Sequence, residues 1–461
     1  MKRSSFSLVT LVLGSIAATL AGTAVAAPVP VPVSALAHAV RAGTLGLDHG
    51  ITDACTVRYR GRLLNLGCGA KLVTSARDSA SPLSTAAPAG YGPGELAKAY
   101  HLPSGGSANT VAIVGVGAYP SLESDLAHYR QQYGLPECTT ANGCLTVTDY
   151  HGGPALASND ANAPIERSYA TETALDLDMA SAACPGCKIR MVQIPTDILK
   201  LLGAILNGFS VPLANDFGTA VNYAASHGAG AVSMSYGLPN GILGAGEMNG
   251  GAPAKALNHT GMAVLAASGD GGYTGTDQRW PQELPWVTSV GGTTLKTGDG
   301  GKTYTQQAWG GMFKGKWVGA GSGCNNATDP AVGQPASVST HCSGHRAASD
   351  VSAVADPTTG VAVYDTFVPD GSKPGWLVAG GTSAASPFIA GLYARGGHID
   401  GVHGPNTMYT APKSAITDVT GGSNAEQGAS ACRQYGAELC TGAAGWDGPT
   451  GAGIPNGLGA F

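Results

Sequence analysis

The segment Gly380-Gly381-Thr382-Ser383-Ala384-Ala385-Ser386-Pro387 is a glycine-rich turn that hands a serine to a helix of small and apolar residues over 383–395. At a helix N-terminus, free backbone N–H groups and the positive end of the macrodipole favour negative charge developing on an oxygen. Ser383 is therefore a candidate nucleophile. Such a serine needs a partner to take its proton, and the histidine motif expected beside it is missing.

Outward from this turn the chain alternates. Short apolar runs at 110–114, 188–194, 230–236 and 261–267 suit buried parallel strands, and 122–133, 171–183 and 215–227 carry helical spacing, as does 383–395. This alternation predicts an α/β fold, a mostly parallel sheet flanked by helices on both faces. There is no internal repeat.

The N-terminus reads as a secretory signal over 1–26: Lys2 and Arg3 precede an apolar run, and Ala24-Val25-Ala26 offers a small-x-small cleavage site. No later stretch is long and apolar enough to span a bilayer, so the expectation is a secreted, extracellular protein without a membrane partner. Ten cysteines in an exported chain point to disulfides. Sequence leaves their connectivity open, although they fall as near neighbours: Cys55 and Cys68, Cys138 and Cys144, Cys184 and Cys187, Cys324 and Cys342, Cys432 and Cys440.

Charge is scarce. Asp, Glu, Lys and Arg make up 12% of the chain, against about 25% in ordinary soluble proteins. With every carboxyl protonated, only 25 Lys and Arg and 11 His would carry charge, so self-repulsion in acid is mild for this size. A net charge of −5 argues against nucleic acid as the main partner.

In Thr171-Glu172-Thr173-Ala174-Leu175-Asp176-Leu177-Asp178-Met179-Ala180-Ser181-Ala182-Ala183, Glu172 and Asp176 stand four residues apart and share a helix face. Met179 and Ala183 continue that face, which puts two acids on an apolar, buried stripe where an unpaired charge is costly. Asp178 points elsewhere. A solvated acidic face is the competing reading, and the apolar companions count against it. A third acid, Asp270, follows the apolar run Leu265-Ala266-Ala267 in a Ser268-Gly269-Asp270-Gly271-Gly272 turn, at the C-terminal edge of a strand, where ligands gather in open α/β sheets.

Together these pieces resemble the sedolisin family of serine-carboxyl peptidases, which have a subtilisin-like fold. The resemblance covers roughly residues 90–461. It rests on Tyr91-Gly92-Pro93 to Tyr100-His101-Leu102-Pro103, the Glu172-x-x-x-Asp176 helix running on to Cys184-Pro185-Gly186-Cys187-Lys188-Ile189, and Ser233-Met234-Ser235-Tyr236-Gly237. It continues through Ser268-Gly269-Asp270, Val290-Gly291-Gly292-Thr293, Gly381-Thr382-Ser383-Ala384-Ala385-Ser386-Pro387 and segments around Asp418 and Asp447. A subtilisin would carry an aspartate where this chain has Val114-Gly115-Val116-Gly117, and an oxyanion asparagine where it has Asp270.

The resemblance implies a secreted, acid-active serine-type endopeptidase with Ser383 as nucleophile, Glu172 as general base and later acid, Asp176 orienting Glu172, and Asp270 as oxyanion donor. A carboxylate with a pKa near 4 accepts a serine proton where a histidine would already be protonated. Asp270 donates only while protonated, which again demands acid or a raised pKa. Polypeptide substrates would add as a strand along Ser235-Tyr236-Gly237, and the protein would act as a monomer. The resemblance also implies one structural Ca²⁺, with Asp418 and Asp447 ligating by side chain and Val419, Ala443 and Gly445 by carbonyl, an all-oxygen shell of the kind calcium prefers. Ala443 replaces the family's usual glycine.

Two departures stand out. After the signal, 27–88 reads as a short propeptide-like segment and linker, far shorter than the family's usual prodomain, before a peptidase domain at 89–461. Cys184-Pro185-Gly186-Cys187 reads as a local structural disulfide rather than a redox or zinc motif. A tripeptidyl exopeptidase and an inactive peptide-binding descendant are the alternative readings, and four filled catalytic positions argue against the second.

Overall fold

The computed structural model describes residues 46–47, 54–59, 62–65, 67–73 and 88–461, apart from 161, 208–209, 240–244, 277–278, 300, 314 and 370–371. The signal expected over 1–26, and most of the linker, lie outside the described residues.

The strands that frame the site are, in chain order, β1 (Lys71–Val73), β2 (Thr110–Val116), β3 (Leu145–Asp149), β4 (Lys188–Ile194), β5 (Ala229–Met234), β6 (Ala263–Ala267), β7 (Thr288–Gly298), β8 (Thr303–Ala308), β9 (Val351–Val354), β10 (Val361–Asp365) and β11 (Gly375–Gly380). The main sheet runs β8-β7-β6-β5-β2-β4-β3, with β9 also on β7. All its pairings are parallel except that of β7 with β8. Val111, Ala112, Ile113 and Val114 are all fully buried. Because successive strand residues point to opposite sides, both faces of the sheet are covered, as the apolar runs required.

The principal helices are α1 (Leu122–Gln132), α2 (Ala163–Ala183), α3 (Val211–Ser226) and α4 (Thr382–Gly396). Helix α2 starts earlier than the spacing suggested. Pro164 sits in its first turn, where a missing N–H costs nothing, and Ile165 and Tyr169 are buried with the rest. It ends at Cys184, whose successor Pro185 disfavours helical backbone. Two strands are shorter than their apolar runs. Gly261 has a φ of 81° and turns the chain before β6, and β5 stops at Met234, where Ser235 leaves the ladder to bond elsewhere.

Helices α2 and α4 pack against each other with small residues at the contact. A Cβ on Gly391 would stand 2.6 Å from that of Ala183 and 3.1 Å from the Ala180 carbonyl oxygen, so glycine sets how closely the two helices approach. All ten cysteines pair with the near neighbours noted above, and Cys184–Cys187 is a local disulfide. Among the described residues, no helix is long and apolar enough to cross a membrane.

Candidate active site

Ser383 is the second residue of α4 and is fully buried. The turn before it is tight: Gly381, with a φ of 101°, caps the helix. A Cβ there would lie 2.5 Å from Asp270 Oδ2. Only glycine tolerates that backbone and leaves the space open. Pro387 lies inside α4; lacking an N–H, it cannot bond back to the Ser383 carbonyl one turn earlier. The Ser235 hydroxyl comes within 3.4 Å of that carbonyl instead.

Helix α2 presents Glu172 and Asp176 to the same place, both with no exposed surface. The acidic face is a core face, not a solvated one. Asp176 Oδ1 accepts a hydrogen bond of 2.7 Å from Ser235 Oγ. Asp178 is indeed turned away, its Oδ2 accepting the Tyr364 amide of β10. Asp270 sits just beyond the end of β6. Its Oδ1 accepts from both the amide (2.8 Å) and the hydroxyl (2.9 Å) of Thr382, and Thr382 Oγ1 accepts the Gly269 amide. Thr382, which the sequence reading named only as part of the serine turn, thus ties the Asp270 turn to the serine helix.

Three buried oxygens at the centre, Ser383 Oγ, Glu172 Oε1 and Asp176 Oδ2, complete no hydrogen bond. Buried polar atoms are normally satisfied, and orphans gathered between a hydroxyl and two carboxyls mark a place built for chemistry. Burial raises the Glu172 carboxyl far above its ordinary range. The nearby Ser383 hydroxyl and the Ala70 amide oppose the rise, the Asp270 charge adds to it and the Lys71 ammonium reduces it. Asp176 is raised well above its usual value by burial and then by the Glu172 charge, with Ser235 opposing. Burial and the repulsion between the two charges thus both oppose ionising the pair together.

The Ser235-Tyr236-Gly237 wall is present, with different roles for its side chains. The Ser235 hydroxyl is not a groove contact; it bonds to Asp176. Tyr236 buries its ring and accepts the Val116 amide on its hydroxyl, 3.1 Å away. The backbone does line a groove, and the chain's own N-terminal segment lies in it. Cys68 pairs with Tyr236 in an antiparallel bridge, and the Gly237 amide donates to the Gly67 carbonyl at 2.9 Å. The Ala70 amide donates to Glu172 Oε2 at 2.8 Å. Strand β1 then pairs antiparallel with β11, which β10 flanks, and Lys71 Nζ stands 3.9 Å from Asp270 Oδ2.

The proposed metal residues also converge. Asp447 is fully buried and accepts the Ala443 amide on Oδ2 and the Thr450 amide and hydroxyl on Oδ1. Exposed Asp418 accepts the Gly445 amide at 2.8 Å, and Val419 beside it is buried. The two turns are joined by a two-stranded ladder, Ile416–Thr417 with Ile454–Pro455. Burial raises Asp447 to about 7, and the neighbouring Asp418 charge adds to the rise. Two neighbouring carboxylates, one of them buried, in turns that also offer backbone carbonyls are the oxygen donors a divalent ion of calcium's kind takes.

No family model matches the chain. It is 30% identical over 403 residues to kumamolisin from Bacillus sp. (strain MN-32), an alignment that takes in 81% of this chain and 63% of that protein. The chain therefore spans under two thirds of the curated relative it matches. Among solved structures, Pseudomonas sedolisin, a serine-carboxyl proteinase, superposes with a TM-score of 0.59 at 23% identity, covering 80% of this chain and 96% of that one. The chain is thus a sequence relative of kumamolisin and shares the fold of sedolisin.

Proposed function

We propose that this protein is a secreted serine-carboxyl peptidase that cuts polypeptides in acid. The observation that carries the reading is the convergence of Ser383, Glu172, Asp176 and Asp270 at one buried point. Ser383 Oγ attacks the substrate carbonyl and passes its proton to ionised Glu172, which Asp176 orients. Protonated Asp270, with Oδ1 already held by Thr382, donates to the oxyanion. Glu172 returns the proton to the leaving nitrogen, and water then hydrolyses the acyl-serine by the same steps.

An endopeptidase is favoured over a tripeptidyl enzyme because the chain threading the groove continues on both sides of Ser383. Five disulfides agree with an oxidising, extracellular compartment. We place one structural calcium at Asp418 and Asp447, with Val419, Ala443 and Gly445 offering carbonyls. When bound it would supply charge that offsets the two carboxylates, and it takes no part in the steps above. The mature enzyme is proposed to be a monomer.

The test is digestion of a denatured protein in acid by wild type, Ser383→Ala and Glu172→Gln. Each variant is expected to lose about a thousand-fold or more in rate. Unchanged activity in Ser383→Ala would remove the serine from the mechanism.

A further inference from the structure

The Ser268–Asp270 turn, which carries the oxyanion donor, is pinned from several sides. The Ser268 amide donates to the Val290 carbonyl at 2.9 Å, extending the parallel ladder of β6 on β7. The Gly269 and Asp270 carbonyls accept the Gly321 and Gly319 amides at 2.7 and 3.1 Å. The Ser268 carbonyl is held differently. In a continued parallel ladder it would accept the amide two residues beyond Val290, but the Gly292 amide donates to the Pro449 carbonyl instead, at 3.2 Å. A side chain takes over: Gln282 Nε2 donates to Ser268 O at 3.1 Å.

Gln282 is buried, and its Oε1 completes no hydrogen bond among the described residues. A buried amide oxygen left so lowers stability, so packing alone favours an apolar residue here, and the bond to Ser268 is what the amide supplies. Its backbone is anchored in turn. Arg346 Nη2 donates to the Gln282 carbonyl at 3.2 Å, and fully buried Arg346 is fixed by bonds of 2.7 and 2.6 Å to Asp350. A Cβ on Gly321 would collide with the Ser268 carbonyl oxygen, so the strand Lys316–Asn325 closes in on that carbonyl. Buried carbonyls are normally paired. Without Gln282 this one has to find another donor, and the turn moves with it.

We infer that Gln282 is a positioning residue for Asp270: by holding the Ser268 carbonyl it fixes the turn that aims the Asp270 carboxyl at the oxyanion. The inference rests on the peptidase reading above. Thr382 holds the carboxyl itself, and Gln282 holds the backbone two residues before it. No proton moves at Gln282. An oxyanion donor counts only where it meets the oxygen in the transition state, so a shifted turn lowers kcat and leaves substrate binding alone. Trp280 on the same segment pairs with Leu238 beside the substrate wall, and a role there would show in KM.

The test is steady-state cleavage of a peptide in acid. Gln282→Leu and Gln282→Met remove the donor at similar size, and Gln282→Glu keeps one while its carboxyl is protonated. Gln282→Leu and Gln282→Met should lower kcat by roughly two- to ten-fold, the worth of one neutral hydrogen bond, at unchanged KM. Gln282→Glu should restore most of that loss. Added to Asp270→Ala, Gln282→Leu should cost nothing further, because the donor it positions is gone. If one apolar variant does not fold, the other replaces it. If Asp270→Ala leaves no measurable rate, the split between kcat and KM and the rescue by Gln282→Glu decide. An unchanged kcat, a raised KM at unchanged kcat, no rescue by Gln282→Glu, or the full loss repeated in Asp270→Ala overturns this inference alone. A wild type that leaves the peptide intact overturns the peptidase reading, and this inference with it.

Discussion

Ser235 illustrates what a single hydroxyl does in a buried acid pair. Its Oγ donates to Asp176 Oδ1 at 2.7 Å and approaches the Ser383 carbonyl that Pro387 leaves without its helical partner. The sequence placed this residue on the substrate groove because its motif is a strand end. The direction of its side chain depends on α2 lying alongside, which no local pattern specifies. Hydrogen bonds to charged groups are worth roughly 1.5–3 kcal/mol, so Ser235→Ala should lower kcat by roughly ten- to a hundred-fold with little change in KM. Steady-state kinetics on a peptide substrate give both constants. A rise in KM at unchanged kcat would return Ser235 to the groove.

At the scale of elements, Ser383 and Glu172 come from two helices held at close quarters by Gly391 against Ala183 and Ala180. The convergence of Ser383, Glu172, Asp176 and Asp270 was legible because helix periodicity and the strand-end rule translate directly into position. The threading of β1 through the cleft was not. It pairs Lys71 with Gly380, residues remote in sequence, and a strand of three residues carries little register signal of its own. The Asp418 and Asp447 turns are a second case of elements meeting late. If calcium joins them, a chelator should lower the melting temperature by several degrees, and Asp447→Asn should remove most of that sensitivity. An unchanged melting temperature in chelator would discard the ion.

Over the whole molecule, among the described residues, buried carboxyls outnumber buried cations. Asp365 is pushed up to about 6, by burial first, with Asp125 adding and the Thr171, Phe367 and Tyr119 hydrogen bonds opposing. Asp178 is raised well above its usual value, again chiefly by burial. An unfolded aspartate titrates near about 3.9, so between about pH 4 and 6 the folded state holds a proton at Asp365 that the unfolded state has released. Stability from this group is complete below that window and is lost as pH rises through it, by on the order of 3 kcal/mol. Half-buried His259, lowered by desolvation, works the other way as a single group. Melting temperature should therefore be higher near pH 4 than near pH 7, as calorimetry across that range would show. The low overall charge, read from composition, points in the same direction.

The central claim is that carboxyls do the work of both base and oxyanion donor. It is tested most directly by the pH dependence of kcat/KM for cleavage of a peptide, wild type beside Asp270→Asn. An asparagine donates its hydrogen bond at any pH, whereas an aspartate donates only while protonated. The account predicts an acidic optimum for wild type and, in Asp270→Asn, activity that persists further toward neutrality. A wild-type profile that peaks near neutrality would contradict it.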